Sequence, residues 1–359
     1  MRYLIAAAGT GGHVFPGLSV GEALVDLGVA RRDILYVGGD RLEASVYPEE
    51  GFPFLGLELR GLRRSLTLQN LTLPAVVLRA KKRIEEAIEA QSITAVLGMG
   101  GYVTVPTALA ARRLRVPLYI AEQNAEAGLA NRIAARWSDR AFVSFPATGG
   151  LAHGEWVGNP VREPFWSFDR DHLRLVALDR YDLDTENPVL GVFGGSLGAG
   201  VINEAVAAML ESWQSGPLQV VHLTGRAHHA DLARREPASD VLWRRLAFED
   251  AMEHFYAASD LVLARAGGAV AELSATSTPS ILIPGRFGST GHQTGNARFF
   301  GDAGAALVLP ESEVHRLGEL VASVIFDRPR LANMADDAAR IAKPDAAKAV
   351  AMAMMGRER

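Results

Sequence analysis

Two glycine-rich turns hold the residues of this chain that are best suited to chemistry. They run from Gly9 to His13 (Gly-Thr-Gly-Gly-His) and from Gly194 to Ala199 (Gly-Gly-Ser-Leu-Gly-Ala), each directly after an apolar run that reads as a β-strand. Glycines at a strand-to-helix turn let a ligand approach the backbone and leave helix N-terminal N–H groups available to an anion. Two such turns, about half a chain apart, predict two Rossmann-like domains with a ligand-binding cleft between them.

Three side chains near these turns could take part in binding or catalysis. His13 ends the first turn, and a near-neutral imidazole there could act as a general base or only hydrogen-bond a phosphate. Glu272 is predicted early in a helix, where its carboxylate could accept two ribose hydroxyls or simply complement the helix dipole. Arg162 offers a planar, charged fork that suits a diphosphate, with a surface salt bridge as the alternative.

The elements that must position these residues alternate between short apolar strands and helical stretches. The predicted strands of the first half lie at residues 3–7, 34–37, 95–97, 118–121 and 140–143, and those of the second half at residues 189–193, 218–223, 261–263 and 280–284. This rhythm is typical of parallel sheets covered by helices. We predict domains at 1–161 and 162–341, with a C-terminal helix within 342–359 that packs back on the first.

Composition restricts the class of protein. The 359 residues are enough for two cores, and 48% hydrophobic and 22% charged residues are ordinary for a soluble enzyme. A net charge of -4 disfavours a dedicated nucleic-acid binder. The chain has no cysteine, no signal-peptide layout and no apolar run near the roughly 20 residues that span a bilayer. We therefore expect a cytoplasmic protein whose membrane contact, if any, is peripheral.

Several ordered blocks of residues resemble the MurG glycosyltransferases, from Leu4 to about Ala347. The blocks are Gly9–Gly17, Gly98–Tyr102, Glu122–Asn124, Ala127-Gly128, Asn131-Arg132, Gly158–Arg162, Gly194–Ser196, Gly198-Ala199, Phe248–Met252, Arg265–Gly267, His292-Gln293 and Asn296-Ala297. The resemblance implies the GT-B glycosyltransferase fold, two Rossmann-like α/β domains facing a central cleft. It also implies an inverting enzyme that moves N-acetylglucosamine from its uridine-diphosphate donor to the lipid-linked muramyl-pentapeptide precursor of peptidoglycan.

The resemblance assigns roles to individual positions. His13 would be the catalytic base, and the turn Gly98–Tyr102 would bind the acceptor's diphosphate through Gly100, Gly101 and Tyr102. The donor would contact Thr10, Gly11, Gly12, Asn124, Arg162, Ser196, Glu249, Ala269, Val270, Glu272 and Gln293. The sequence departs from the family pattern at two points. The segment from Arg265 to Glu272 is one residue shorter than in the family, and Gly291 stands where the family commonly has an aspartate.

No cofactor is implied, and the family resemblance points to a metal-independent reaction. The Asp-x-Asp sequence Asp182-Leu-Asp184 falls in the polar region between the predicted domains. Helix N-termini and side-chain donors would instead stabilise the leaving diphosphate.

A basic, leucine-rich stretch suggests where a membrane could be contacted. Between residues 60 and 83 there is no acidic residue, and the basic ones are Arg60, Arg63, Arg64, Arg79, Lys81, Lys82 and Arg83. Such a stretch suits an anionic bilayer surface, although a solvated basic face over core leucines is the alternative. With the family resemblance, it predicts a peripheral protein on the cytoplasmic face of the cell membrane.

Other functions remain open from the residues alone. A UDP-sugar enzyme of the same fold could act on a different lipid acceptor, or the chain could be a non-catalytic sugar-nucleotide sensor. A nucleotide-sugar epimerase would need a denser set of carboxylates, which the sequence does not show. A dinucleotide-dependent oxidoreductase is disfavoured because neither turn has the full Gly-x-Gly-x-x-Gly pattern with its acidic residue.

Overall fold

The chain forms two compact units. Our computed structural model describes residues 1–58, 73–151, 153–195, 198–285 and 291–357. Unit 1 comprises Met1–Arg162 and Lys343–Arg359, and unit 2 comprises Glu163–Ala342. Each boundary lies one residue later than the sequence predicts.

Unit 1 is built on one parallel sheet. Its strands, among the described residues, are β1 (Tyr3–Ala6), β2 (Ile34–Gly38), β3 (Phe54–Gly56), β4 (Ala95–Gly98), β5 (Leu118–Glu122), β6 (Arg140–Val143) and β7 (Glu155–Trp156). They lie in the order β3-β2-β1-β4-β5-β6-β7, and every neighbouring pair is parallel. The strands β1, β2 and β4 are wholly buried, as expected for a parallel sheet with both faces covered.

Helices cover both faces of this sheet. They are α1 (Gly11–Asp26), α2 (Glu43–Glu49), α3 (Leu73–Gln91), α4 (Thr104–Leu114) and α5 (Leu129–Ala134). Successive residues of β1 point to opposite faces, so Tyr3 and Ile5 join one apolar cluster while Leu4 and Ala6 join another. The first cluster includes Leu18 of α1. Helix α1 therefore leaves the end of β1 with its first turn at the carboxyl edge of the sheet.

Unit 2 repeats the plan with a second parallel sheet. Its described strands are β8 (Val189–Phe193), β9 (Leu218–Leu223), β10 (Val241–Leu246), β11 (Leu261–Ala264), β12 (Ser280–Leu282) and β13 (Ala306–Val308). The strand order is β10-β9-β8-β11-β12-β13, again all parallel. The strand predicted to reach Pro284 ends at Leu282, because proline has no N–H to donate to the next strand.

The helices of unit 2 begin and end where local sequence favours it. They are α6 (Glu163–Trp166), α7 (Arg170–Arg180), α8 (Gly200–Glu211), α9 (His229–Leu232), α10 (Met252–Ala258), α11 (Ala269–Ala275), α12 (His292–Asp302), α13 (Leu317–Ile325) and α14 (Arg328–Ile341). Asp169 caps α7 by accepting from the N–H of His172, and Asp327 caps α14 in the same way. One apolar cluster, containing Leu190 and Val192 of β8, forms the core.

The last helix, α15 (Ala346–Met354), belongs to unit 1 although it follows unit 2 in the chain. Its Val350, Ala351 and Met354 are buried in the cluster that contains Leu18 of α1. The C-terminal helix thus contributes to the core beneath the first glycine-rich turn.

Candidate active site

The strand order of each unit creates one preferred binding position. In unit 1 the order reverses between β1 and β4, and in unit 2 it reverses between β8 and β11. Ligands of open α/β sheets bind at such a switch point, at the carboxyl ends of the strands, where the two flanking loops diverge. The turns beginning at Gly9 and Gly98 flank the position in unit 1. The turns beginning at Gly194 and Arg265 flank the position in unit 2.

In unit 1 the two flanking turns touch each other. Gly100 and Gly101 both have positive φ, +95° and +76°. A β-carbon on Gly100 would lie 2.9 Å from Nε2 of His13, and one on Gly101 would lie 2.5 Å from the carbonyl oxygen of Ala8. Glycine is required at both positions by backbone conformation and by close packing. The structure thus brings His13 beside the predicted acceptor turn.

The first turn of α1 contains three of the predicted donor contacts. Thr10 is the exposed N-cap residue, and its Oγ1 lies 3.5 Å from Nδ1 of His13. Gly11 and Gly12 occupy the first two helical positions, whose N–H groups have no acceptor within a helix. The helix thus begins two residues before His13, so the imidazole projects from its first turn.

Tyr102 is hydrogen-bonded to a buried carboxylate. Its hydroxyl donates to Oε1 of Glu43 across 3.0 Å. Burial, together with the nearby negative charge of Glu43, raises the pKa of Tyr102 well above its ordinary value. The Tyr102 hydroxyl is therefore protonated at physiological pH, and it donates its hydrogen to Glu43.

Asn124 belongs to a loop organised by Glu122. The buried Glu122 carboxylate accepts from the backbone N–H and the side-chain Nδ2 of Asn124, at 3.0 and 3.1 Å. Its other oxygen accepts from the N–H of Gly128 and from Nδ2 of Asn131, at 3.0 and 2.8 Å. Nδ2 of Asn131 lies 3.4 Å from the β-carbon position of Gly100. The loop of Asn124 therefore lies at the same end of the sheet as the turn that contains Gly100.

Arg162 is the last residue of unit 1 before the chain enters unit 2. Its guanidinium lies over the ring of Phe15, 5.4 Å from the centroid. Because Phe15 is in the second turn of α1, Arg162 is brought near the N-terminal part of that helix. A cation there complements an anion bound at the helix start.

In unit 2 the turn after β8 is tight. Gly195 and Gly198 have positive φ, and the N–H of Gly198 donates to the carbonyl of Gly195 across 2.9 Å. Helix α8 follows with Ala199 at its N-cap. Ser196, a predicted diphosphate contact, lies outside the described residues.

Glu272 lies in the first turn of α11, directly after the turn that follows β11. Its Oε2 accepts a hydrogen bond of 2.7 Å from the hydroxyl of Tyr256, a fully buried residue of α10. Ala269 and Val270 begin the same helix, and the N–H of Val270 donates to the carbonyl of Gly267 across 3.3 Å. One of the two backbone groups predicted to bind the donor therefore already has an intramolecular partner.

Gln293 is in the first turn of α12, after the neighbouring strand β12. Its Oε1 accepts from the N–H of Gly285 across 2.7 Å, while Nε2 lies 3.9 Å from the β-carbon position of Gly267. Asn296, buried one turn later, donates to the carbonyl of Ala266 across 2.9 Å. The start of α12 is thereby attached to the turn after β11, which places Gln293 beside the turn that leads to Glu272.

Glu249, a predicted donor contact, is hydrogen-bonded to other residues of unit 2. Its buried carboxylate accepts from Arg180 and Tyr181 at the end of α7, with hydrogen bonds of 2.8 Å from each, and from the N–H of Ala251. Burial favours its neutral form, but the hydrogen bonds from Arg180, Ala251 and Tyr181 lower the pKa of Glu249 below its ordinary value. The carboxylate of Glu249 therefore fastens α7 to the loop before α10.

Three residues of this arrangement were not singled out in the sequence. Glu43 and Tyr256 were not predicted because each lies in an ordinary helical stretch and acquires its partner only through folding. Arg265 was noted only as part of a motif, yet it donates to the carbonyl of Ile283 and pairs with Glu311 across 2.5 Å. Both side chains are largely buried, and the pair connects the turn after β11 to the segment that follows β13.

The predicted membrane stretch is described only in its second part. Arg60, Arg63 and Arg64 lie outside the described residues. On α3, Ala80, Ile84 and Ile88 are buried, whereas Leu78 is 61% exposed beside the exposed Arg79. Lys81 and Lys82 pair with Glu85 and Glu86, at 2.5 and 3.9 Å, so acidic residues one turn later offset part of the basic charge.

The described residues contain neither a cluster of metal-ligating side chains nor a helix that could cross a bilayer. Across those ranges, no group of three or more His, Asp or Glu side chains is placed to hold a metal ion. Among the described helices, none combines the length and the apolar character that crossing a bilayer requires. In Asp182-Leu-Asp184, Asp182 pairs with Arg244 and Asp184 accepts from Asn187, so both carboxylates have partners within the protein.

Comparison with known proteins identifies the family of this chain. Residues 3–143 match the glycosyltransferase family 28 N-terminal domain and residues 189–350 match the C-terminal domain of that family. The chain is 38% identical over 352 residues to the UDP-N-acetylglucosamine–N-acetylmuramyl-(pentapeptide) pyrophosphoryl-undecaprenol N-acetylglucosamine transferase of Dechloromonas aromatica, covering 97% of this chain and 96% of the relative. It is 40% identical over 357 residues to the enzyme of that name from Acidithiobacillus ferrooxidans, covering 98% and 96%.

A solved structure matches over the full length. The crystal structure of Acinetobacter baumannii MurG has a TM-score of 0.80 and 26% identity, covering 99% of this chain and 100% of that one. The fold, with its two parallel-sheet domains, is that of the GT-B glycosyltransferases, and the chain is a glycosyltransferase of family 28. Within that class, it belongs to the MurG family. The predicted fold class and the family resemblance are confirmed.

Proposed function

We infer that this chain catalyses the reaction for which its relatives are named. It transfers N-acetylglucosamine from UDP-N-acetylglucosamine to the lipid-linked muramyl-pentapeptide that carries pyrophosphoryl-undecaprenol, a step of peptidoglycan synthesis. The observation that carries this proposal is the pair of switch-point sites, each flanked by glycine-rich turns, in a chain of this family. Other UDP-sugar enzymes and non-catalytic sensors would share the fold, so the acceptor decides the function.

Unit 2 supplies the donor site in this proposal. Glu272 accepts the ribose hydroxyls of the uridine, because its carboxylate is oriented by Tyr256 and an ionised carboxylate has two acceptor oxygens with about four lone-pair sites. The turn of Gly194 to Ser196 and the start of α8 hold the diphosphate. Ala269 contributes a backbone contact, and Val270 contributes one only by sharing the N–H that also donates to the carbonyl of Gly267. Since Oε1 of Gln293 accepts from Gly285, its Nε2 is the end that donates to the sugar hydroxyls.

Unit 1 supplies the acceptor site and the base. The turn of Gly100 to Tyr102 and the start of α4 hold the acceptor's diphosphate, and His13, packed on that turn, takes the proton of the acceptor hydroxyl. Thr10, Gly11, Gly12, Asn124 and Arg162 contact the donor from this unit. The hydroxyl oxygen attacks the anomeric carbon, the bond from that carbon to the diphosphate breaks, and UDP leaves with inversion.

The proposal includes a reaction without a metal and a peripheral position at the cytoplasmic face of the cell membrane. Helix N-termini and Arg162 stabilise the charge that develops on the leaving diphosphate. Leu78 and the exposed Arg79, Lys82 and Arg83 of α3 support contact with an anionic leaflet.

The deciding experiment is a transfer assay with radiolabelled UDP-N-acetylglucosamine and the lipid-linked muramyl acceptor. Label should move to the lipid fraction in proportion to enzyme. Parallel reactions with a lipid-linked acceptor that lacks the muramyl-pentapeptide test acceptor specificity. Transfer only to that second lipid would assign a different acceptor, and UDP binding without transfer to either would indicate a sensor.

A further inference from the structure

A single buried carboxylate connects three strand ends of unit 1. Glu43, the first residue of α2, has no exposed surface. Its Oε2 accepts from the N–H of Gly9 across 3.2 Å, and its Oε1 accepts from the N–H of Gly39 across 2.9 Å and from the hydroxyl of Tyr102 across 3.0 Å. These donors follow β1, β2 and β4, three adjacent strands of the sheet.

Because Glu43 is buried, the hydrogen bonds to its carboxylate are costly to lose. A carboxylate removed from water is stable only when hydrogen bonds replace its hydration, and here two backbone amides and a phenol do so. Removing the carboxylate would leave a buried amide or hydroxyl without an acceptor, which costs more than the net value of the bond. The three loops are therefore fixed relative to one another by one group.

The backbone at Gly38 and Gly39 leaves room for the side chain of Glu43 and the hydroxyl of Tyr102. A β-carbon on Gly38 would lie 2.5 Å from Cγ of Glu43, and one on Gly39 would collide with the hydroxyl of Tyr102. Two consecutive glycines, the last residue of β2 and the one that follows it, thus create the space in which the carboxylate and the phenol meet. The sequence Gly38-Gly39 has this packing role, and no ligand is needed to explain it.

The connection reaches the proposed catalytic groups. Gly9 leads through Thr10 into the first turn of α1, which carries His13, while Tyr102 closes the turn that contains Gly100. His13 and Gly100 are already in contact. Glu43 therefore holds both partners of that contact, one through Gly9 and the other through Tyr102.

We propose that Glu43 is a positioning residue of the acceptor site, which sets His13 and the turn of Gly100 to Tyr102 in the geometry that transfer requires. This inference rests on the proposed role of unit 1 as the acceptor side. Glu43 touches no reacting atom and acts through the two loops. The donor site of unit 2 is not expected to depend on it.

The test compares Glu43→Gln with Glu49→Gln, which removes the same charge from the exposed end of the same helix. Glutamine has the right shape, but its NH₂ end must face either Gly9 or the pair Gly39 and Tyr102, and a donor there cannot replace an acceptor. We expect kcat/KM for the lipid acceptor to fall about 10- to 100-fold in Glu43→Gln, because a misplacement of about 1 Å has effects of this size. Glu49→Gln should stay within about two-fold of the unmodified enzyme.

UDP affinity, measured by calorimetry, separates a positioning role from a general loss of structure. It should change by no more than about two-fold in Glu43→Gln, because in the proposed function the ribose is held by Glu272 and the diphosphate by the turn of Gly194 to Ser196, both in unit 2. An acceptor kcat/KM that stays within about two-fold would overturn the proposal, and so would an equal loss of UDP binding. If Glu43→Gln does not fold, Glu43→Asp, which retracts the carboxylate by one carbon, replaces it with the same expected outcomes.

A double-mutant cycle with Tyr102→Phe tests whether Glu43 acts through Tyr102. The loss caused by Tyr102→Phe should be smaller in the Glu43→Gln background than in the unmodified enzyme, and full additivity would contradict the proposed coupling. A spectroscopic readout is independent of transfer: in ¹³Cζ-tyrosine NMR, the Tyr102 signal should titrate at lower pH in Glu43→Gln. If the unmodified enzyme transfers nothing to the muramyl acceptor, the proposed function fails, while this titration still reports on the connection between Glu43 and Tyr102.

Discussion

The hydroxyl of Tyr256 donates a hydrogen bond of 2.7 Å to Oε2 of Glu272. Tyr256 is fully buried and packs edge-on against Phe193, the last residue of β8, with ring centroids 6.2 Å apart. The carboxylate at the start of α11 is therefore oriented by an aromatic cluster anchored on the strand that precedes the other glycine-rich turn of unit 2. This arrangement gives Glu272 a fixed direction before any ligand binds.

If Glu272 binds the ribose, both partners of this hydrogen bond should affect the donor. Glu272→Ala should weaken UDP binding by about 1–3 kcal/mol, since the ribose hydroxyls lose their acceptor. Tyr256→Phe should weaken it by a smaller amount, about five-fold, because the carboxylate keeps its charge but loses its orientation. Calorimetry checks both. Glu236→Ala, an exposed residue of unit 2, and Tyr47→Phe, a buried hydroxyl of unit 1, are controls that should leave UDP affinity unchanged.

Gly101 should be the least replaceable glycine of the acceptor turn. Gly101→Ala places a methyl group 2.5 Å from the carbonyl oxygen of Ala8 and also strains a positive φ. We expect a loss of about 3 kcal/mol or more in the free energy of unfolding. Gly28→Ala is the matched control, since Gly28 has φ +94° with open space around it and should lose only about 1 kcal/mol. Equal shifts of the urea midpoints would show that the contact with Ala8 is unimportant.

The sequence predicts the interior of each sheet better than its margins. Among the described strands, the four that the apolar pattern did not predict are β3, β7, β10 and β13, and each lies at an edge of its sheet. Three of them have two or three residues, and β10 contains Arg244 and Arg245. Edge strands are short or charged because they are half solvated and must not pair with other chains. They therefore lack the apolar signal by which buried parallel strands are recognised.

The site shows a similar division. Glycine-rich turns are visible in the sequence because a positive φ or a close approach restricts those positions to one residue type, as at Gly100 and Gly101. The hydrogen bond between Glu43 and Tyr102 is not visible in the sequence, because the two residues are 59 residues apart and meet only when β2 and β4 flank β1. Nothing local distinguishes Glu43 from the exposed Glu49 on the same helix.

Membrane binding should depend on the exposed side of α3. Arg79→Gln together with Lys82→Gln should reduce binding to anionic vesicles, since each basic residue near an anionic leaflet contributes about 1 kcal/mol and salt screens the attraction. Cosedimentation with phosphatidylglycerol-containing vesicles at two ionic strengths measures this. Arg32→Gln with Arg136→Gln, two exposed arginines on other elements, is the control. Binding that responds to neither the α3 substitutions nor salt would leave α3 as a solvated surface helix.

Transfer should continue in the presence of a chelator. The proposed stabilisation of the leaving diphosphate uses helix N-termini and Arg162, so EDTA should change kcat by less than about two-fold. The assay is run with the enzyme dialysed against EDTA and then with added Mg²⁺ or Mn²⁺. Loss of turnover that one of these ions restores would replace this part of the mechanism with a metal-assisted one.

The role of His13 gives the sharpest kinetic test of the proposed mechanism. If its imidazole takes the acceptor proton, His13→Ala should lower kcat by about 10²- to 10⁴-fold with little change in UDP affinity. The fall in rate at acidic pH should also disappear, because that fall reflects protonation of the base. His153→Ala, an exposed histidine of the same unit, is the control. If His13 only holds a phosphate, the loss should appear in binding and the acidic limb should remain, which would transfer the role of base to another group.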